Sequence, residues 1–138
     1  MKTVLITGAN RGLGLEFAKQ YQLDEWEVIA CCRNPDDVPE LLESGVSVSQ
    51  LNLLDFEAIN RFAETLKGKP IDLLINNAGI HDRSKEEGFL GIETERWIDG
   101  FKVNAMAPVL LTQALVDNLS ASENPVAATI GSQAGCLT

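Results

Sequence analysis

Three clusters of residues in this sequence have the types and spacing to do chemistry. The first is Thr7-Gly8-Ala9-Asn10-Arg11-Gly12-Leu13-Gly14, glycines spaced Gly-x-x-x-Gly-x-Gly behind a short apolar run. Glycines let a backbone turn tightly and approach a pyrophosphate, and a helix that starts there offers free N–H donors and a positive dipole end. No Gly-Lys-Ser/Thr follows, so the turn is not a P-loop. A plain turn is the bland alternative. The second cluster is Cys32-Arg33, at the end of the next apolar run. An acidic side chain there is the usual partner of the NAD ribose hydroxyls. Here a thiol and a cation stand instead, and Arg33 with Arg11 could converge on a 2′-phosphate, each contact contributing ~1.5–3 kcal/mol. That favours NADP(H) over NAD(H), unless Arg33 merely pairs with Asp36 or Asp37 at the surface. The third is Asn76-Asn77-Ala78-Gly79. Its amides can hold backbone and cofactor together and its small residues leave room for a ribose; otherwise it is an ordinary polar turn.

Short apolar runs alternating with amphipathic stretches must position these clusters. Strands are predicted over 3–7, 27–32, 46–51, 71–75 and 126–130, and helices over 11–23, 37–44, 55–67 and 94–121. Gly45 is expected to end the second helix and Asp55 to cap the third. Pro108 is expected to kink the long fourth helix, with Trp97, Ile98, Phe101, Met106, Leu110, Leu111, Leu115 and Leu119 as its buried candidates. Residues 81–91 read as a loop, and Asp82, Arg83, Lys85, Glu86 and Glu87 as its solvated charges. Leu13, Phe17, Ala18 and Tyr21 mark the inner face of the first helix, and Trp26 and Trp97 read as partial core residues. Strands alternating with helices imply an α/β fold: a Rossmann-type, doubly wound parallel sheet of five strands in the order 3-2-1-4-5, as one domain over 1–138.

Composition narrows the partners. With 11 Lys+Arg against 20 Asp+Glu, the 138-residue chain carries a net charge of −9. That argues against nucleic acid, which needs a clustered positive face. No apolar stretch approaches a membrane span or a signal-peptide core. Of the three cysteines, Cys31 and Cys32 are adjacent, which suits neither a disulfide framework nor a zinc site, and the lone His81 cannot build a metal cluster. A reducing, cytoplasmic compartment and no metal are expected. Cys136 reads as an unreactive loop thiol. A phosphoacceptor receiver domain has this length, but it needs an acidic pair where Gly8, Ala9 and Asn10 stand and a lysine where Gly131-Ser132 stands.

Taken in order, TGANRGLG, NNAG, VNAMAPVLLTQAL and a serine after the fifth strand resemble the short-chain dehydrogenases/reductases across the whole chain. LITGANRGLGLEF with CRNP is similar to the C-factor and sniffer-like carbonyl reductases. The resemblance implies that Gly8, Asn10, Arg11, Gly12, Leu13 and Gly14 line the dinucleotide phosphates and that Arg33 reads the 2′-phosphate. It places Asn52 and Leu53 at adenine, with Asn52 standing where the family usually has aspartate, and Asn77, Ala78 and Gly79 at the nicotinamide ribose. Asn104 matches the helix asparagine that helps to hold a water of the proton relay, and Ser132 the serine that hydrogen-bonds the substrate carbonyl.

The family's Tyr-x-x-x-Lys pair, expected about a dozen residues after that serine, is not in this sequence. Its only tyrosine, Tyr21, lies on the first helix. The expectation is therefore the cofactor-binding half of an NADP(H)-dependent reductase of carbonyl or alcohol substrates, nearly inactive alone. It is also expected to associate, as a homo-oligomer, through an open sheet edge at the fifth strand. A non-catalytic NADP(H)-binding or partner-binding module is the alternative.

Overall fold

In the computed structural model, which describes residues 1–81 and 88–132, five strands form one parallel sheet. They are β1 (Thr3–Thr7), β2 (Glu27–Cys32), β3 (Ser47–Gln50), β4 (Leu73–Asn76) and β5 (Val126–Thr129), ordered β3-β2-β1-β4-β5. Leu5 pairs with Ile29 on one side and Leu74 on the other, so the most apolar strands are central. The helices are α1 (Gly12–Leu23), α2 (Pro39–Glu43), α3 (Phe56–Thr65), α4 (Thr94–Phe101), α5 (Ala107–Ala114) and α6 (Val116–Ser120).

Side chains alternate across a strand, and this alternation builds two cores. Leu5, Ile29, Cys31 and Leu74 pack with Ile59 and Phe62 of α3 and with Leu111 of α5. Val4, Ile6, Val28, Ala30 and Ile75 pack with Ala18 of α1 and Leu41 of α2. Every residue of β1 is buried, as a strand covered on both faces should be. The doubly wound arrangement expected from the apolar pattern is the one observed.

Several local expectations need correction. The predicted long helix is four pieces: α4, a π-helical segment (Lys102–Met106), α5 and α6. Pro108 has no N–H to return to the preceding turn, and the residues just before it take the wider π spacing. Leu111, Leu115 and Leu119 are buried as expected, but Trp97 (69% exposed), Phe101 (64%), Ile98 and Met106 are exposed. Trp97 is therefore not a core residue, whereas half-buried Trp26 stacks edge-on with Tyr21, their centroids 5.0 Å apart. Leu13 is also exposed (61%), and Leu15 takes the inward position instead. A 3₁₀ turn (Pro35–Asp37) precedes a shorter α2, and another (Phe89–Gly91) interrupts the predicted loop. Asp55 caps α3 as expected, its carboxylate accepting from Ala58 N at 3.0 Å. Asp82, Arg83, Lys85, Glu86, Glu87 and Cys136 lie outside the described residues.

Candidate functional site

The site starts where β1 stops. Thr7 Oγ1 accepts from the backbone N–H groups of Asn77 and Ala78, both at 3.0 Å. The Asn77 amide nitrogen donates back to the carbonyls of Thr7 (3.1 Å) and Gly8 (3.3 Å). Ala9 N–H donates to Cys31 O at 3.0 Å. The carboxyl ends of β1, β2 and β4 are thereby clamped together by backbone groups that would otherwise be unpaired.

Two glycines are required by this clamp. A Cβ on Gly8, whose φ is +64°, would lie 2.8 Å from Ala78 Cα. One on Gly14 would lie 2.2 Å from Gly8 O and 2.5 Å from Asn77 Nδ2. Gly14 is buried and brings α1 down onto the turn, so its role is packing. Gly12 differs: its φ is +56° and a Cβ would meet nothing within 4 Å. At Arg11, the N-cap, no side chain caps α1, and no acidic residue stands in the first turn. The first-turn N–H groups and the dipole end are thus left to an external acceptor.

Above this turn lies a cleft of about 650 Å³, within the roughly 300–1,000 Å³ usual for small-molecule and cofactor sites. Gly8, Asn10, Arg11, Gly12, Arg33, Asn52, Leu53, Asn77, Ala78 and Gly79 all line it. The structure therefore brings together ten of the residues singled out in the sequence. Leu13 and Gly14 are not among the lining residues, for the reasons above.

Charge in the cleft is distributed unevenly. Among the described residues the Arg33 guanidinium makes no ion pair with Asp36 or Asp37. Cys31 and Cys32, which line the cleft at the end of β2, are free thiols. Burial raises both above the ordinary thiol range, so they are neutral at physiological pH. Beside Arg33 the floor of the cleft thus carries no negative charge from β2. Gln50 donates to the Arg33 carbonyl at 3.0 Å and steadies that corner.

Asn104 and Ser132 are not lining residues. Asn104 sits in the π segment with both amide atoms on the backbone of Ile80: Oδ1 accepts from its N–H and Nδ2 donates to its C=O, each at 2.8 Å. It therefore holds the loop after β4 against the helix, next to Gly79. Ser132 is exposed, three residues beyond β5. Sequence reasoning missed Asp99, Ile80 and Val103, which line the cleft from α4, the loop after β4 and the π segment. Nothing in the local sequence marks Asp99, because only helix docking turns it to the cleft. The clamp made by Thr7 was missed too; the visible signal was a hydroxyl directly before the glycine turn.

The model of a family described as short chain dehydrogenase matches residues 2–138. Protein FixR of Bradyrhizobium diazoefficiens is 34% identical over 91% of this chain and 48% of its own length. The crystal structure of a carbonyl reductase from Pseudomonas aeruginosa is 31% identical, with a TM-score of 0.85 over 99% of this chain and 64% of its own. A metagenomic short-chain oxidoreductase in complex with NADP is 25% identical, with a TM-score of 0.82 over 98% of this chain and 64% of its own. The chain spans between 30% and 48% of the lengths of such curated relatives.

Proposed function

The chain belongs to the short-chain dehydrogenase family, and from that premise we propose that its cleft binds NADP(H) for hydride exchange with a small carbonyl or alcohol substrate. We place it with the carbonyl reductases, a reading that the likeness to the Pseudomonas aeruginosa enzyme supports. The single observation that carries NADP(H) is Arg11 and Arg33 lining one cleft, beside neutral thiols instead of a carboxylate. A carboxylate there would accept from ribose hydroxyls and repel a 2′-phosphate.

The residues present fit this group. Free N–H donors at the start of α1 and the open space at Gly12 suit a pyrophosphate, with Asn10 beside them. Arg11 and Arg33 take the 2′-phosphate, Asn52 and Leu53 the adenine, and Asn77, Ala78 and Gly79 the nicotinamide ribose. Asn104 acts through Ile80, holding the loop that bounds the nicotinamide end. Ser132 is assigned to the substrate carbonyl. Bound there, the nicotinamide supplies or accepts the hydride. The free thiols suit a reducing compartment such as the cytoplasm.

Proton delivery is a separate matter. Tyr21, the one tyrosine of the sequence, stacks on Trp26 and does not line the cleft. These 138 residues are therefore assigned cofactor binding, with turnover by them alone slower by about 10²–10⁴-fold or more than with a placed general acid. The same observation favours a second reading, a nucleotide-binding module that performs no chemistry. Calorimetric titration with NADPH and NADH, followed by a single-turnover assay with a panel of aldehydes and ketones, separates the two. NADPH should bind at least about tenfold tighter than NADH, and Arg33→Ala should cost NADPH roughly 10–100-fold while leaving NADH nearly unchanged. Equal affinities, or no binding, would overturn the proposal. Binding without hydride transfer would favour the module.

A further inference from the structure

Resting on the NADP(H) reading above, we propose that Asp99 works against Arg11 and Arg33, loosening the cleft's hold on the anionic cofactor and most of all on its 2′-phosphate. Among the described residues Asp99 is the one carboxylate that lines the cleft. It reaches the cleft from α4, one turn before Val103, which lines it too. No structural task accounts for it there. It lies beyond the first turn of α4, so it caps nothing. The cation one turn earlier, Arg96, pairs with Glu93 at 2.9 Å instead. Among the described residues the Asp99 carboxylate makes no ion pair, either on its own helix or with Arg11 or Arg33.

Its charge is therefore left to act on whatever fills the cleft. Asp99 is half-buried, so water screens it only in part. A cleft of about 650 Å³ spans on the order of 10 Å, close to one Debye length at about 0.1 M salt, and repulsion across it survives. The pyrophosphate is anionic, and a phosphate monoester at the ribose adds about −1.5 to −2 more at pH 7. Repulsion grows with ligand charge, so NADPH loses more than NADH. The arginines supply affinity and Asp99 returns part of it. A cofactor that must leave after each hydride exchange gains nothing from a tighter hold in the ground state.

The test titrates NADPH and NADH into wild-type protein, Asp99→Asn and Asp99→Ala, at about 20 mM and about 500 mM salt. At low salt both variants should bind NADPH about three- to tenfold tighter than wild type, and gain less for NADH. At high salt the three proteins should converge. Displacement followed by stopped flow should show NADPH leaving the variants more slowly. Weaker NADPH binding by the variants overturns the inference, because the carboxylate then accepts from a donor of the cofactor. Unchanged affinity overturns it as well. A gain confined to Asp99→Asn does the same, by assigning the effect to a new amide contact. So does an equal gain for both cofactors that ignores salt, which would assign it to desolvation. Failure of wild type to bind either cofactor would instead bring down the cofactor reading itself.

Discussion

Gly12 and Gly14 are two positions apart and do different work, which makes them a test of the turn. Gly14→Ala forces a Cβ to 2.2 Å from a backbone oxygen, so α1 or the turn must move. The expected cost is about 1–3 kcal/mol in stability, with loss of nucleotide binding, read by urea unfolding and calorimetry. Gly12→Ala meets no atoms but keeps a left-handed φ, so about 1 kcal/mol is expected, a clearly smaller loss. Equal effects would refute the distinction. At the opposite end of the sheet, Asp72 accepts from Ser122 Oγ at 2.6 Å and Thr3 N–H at 2.7 Å. Those donors, Ser122 first, hold its carboxyl below the usual range. A depressed folded-state value means stability that is present above the ordinary carboxylate range and is lost as pH falls through the lowered one. The advantage of wild type over Asp72→Asn in melting temperature should therefore shrink below about pH 4. A gap that stays constant from pH about 7 downward would exclude a role for the charge.

Between elements, two asparagines join segments that periodicity leaves unconnected. The Asn118 side chain of α6 is buried and donates through Nδ2 to the carbonyls of Leu66 (2.6 Å) and Lys69 (2.8 Å), while the Asn118 backbone carbonyl accepts from Ile71 N–H at 3.0 Å. It fastens the turn between α3 and β4 beneath the core. Asn118→Leu conserves volume but strips a donor from two carbonyls, and a loss of about 1–3 kcal/mol is expected in urea unfolding. Asn104 does the equivalent at the cleft end. In Asn104→Ala the Ile80 amide loses its acceptor, so hydrogen exchange at Ile80 should speed up while β1 amides stay protected. Unchanged exchange at Ile80 would mean that the contact does not hold the loop. A polar residue at helical spacing was legible in the sequence. Its partner 24 positions away was not, because periodicity reports which face a residue occupies and says nothing of what meets it.

Across the whole molecule, burial is lopsided. β1 and β2 are buried, whereas β5 is largely exposed, and α4 shows Trp97, Ile98 and Phe101 to solvent. Contiguous exposed apolar surface and an exposed outer strand both favour self-association. Light scattering should show particle size rising with concentration, and Trp97→Glu should reduce that rise. If Trp97→Glu scatters as wild type does, the α4 face is not the contact, and Val126→Lys on β5 becomes the variant to measure.

Read alone, the sequence determined the sheet, its order and most of the cleft. Strand identity follows from local apolar runs, and glycine turns act through their own backbone geometry, so both are written in consecutive residues. TGANRGLG and NNAG were legible for that reason, as was the cation at Arg33. Tertiary structure decided the rest: that Gly14 packs while Gly12 opens, that Asn104 grips Ile80 behind the cleft, that Asp99 faces it, and that half the apolar face of α4 stays in water. Each of these depends on which distant segment arrives at a given surface, and a residue's type does not encode its neighbour.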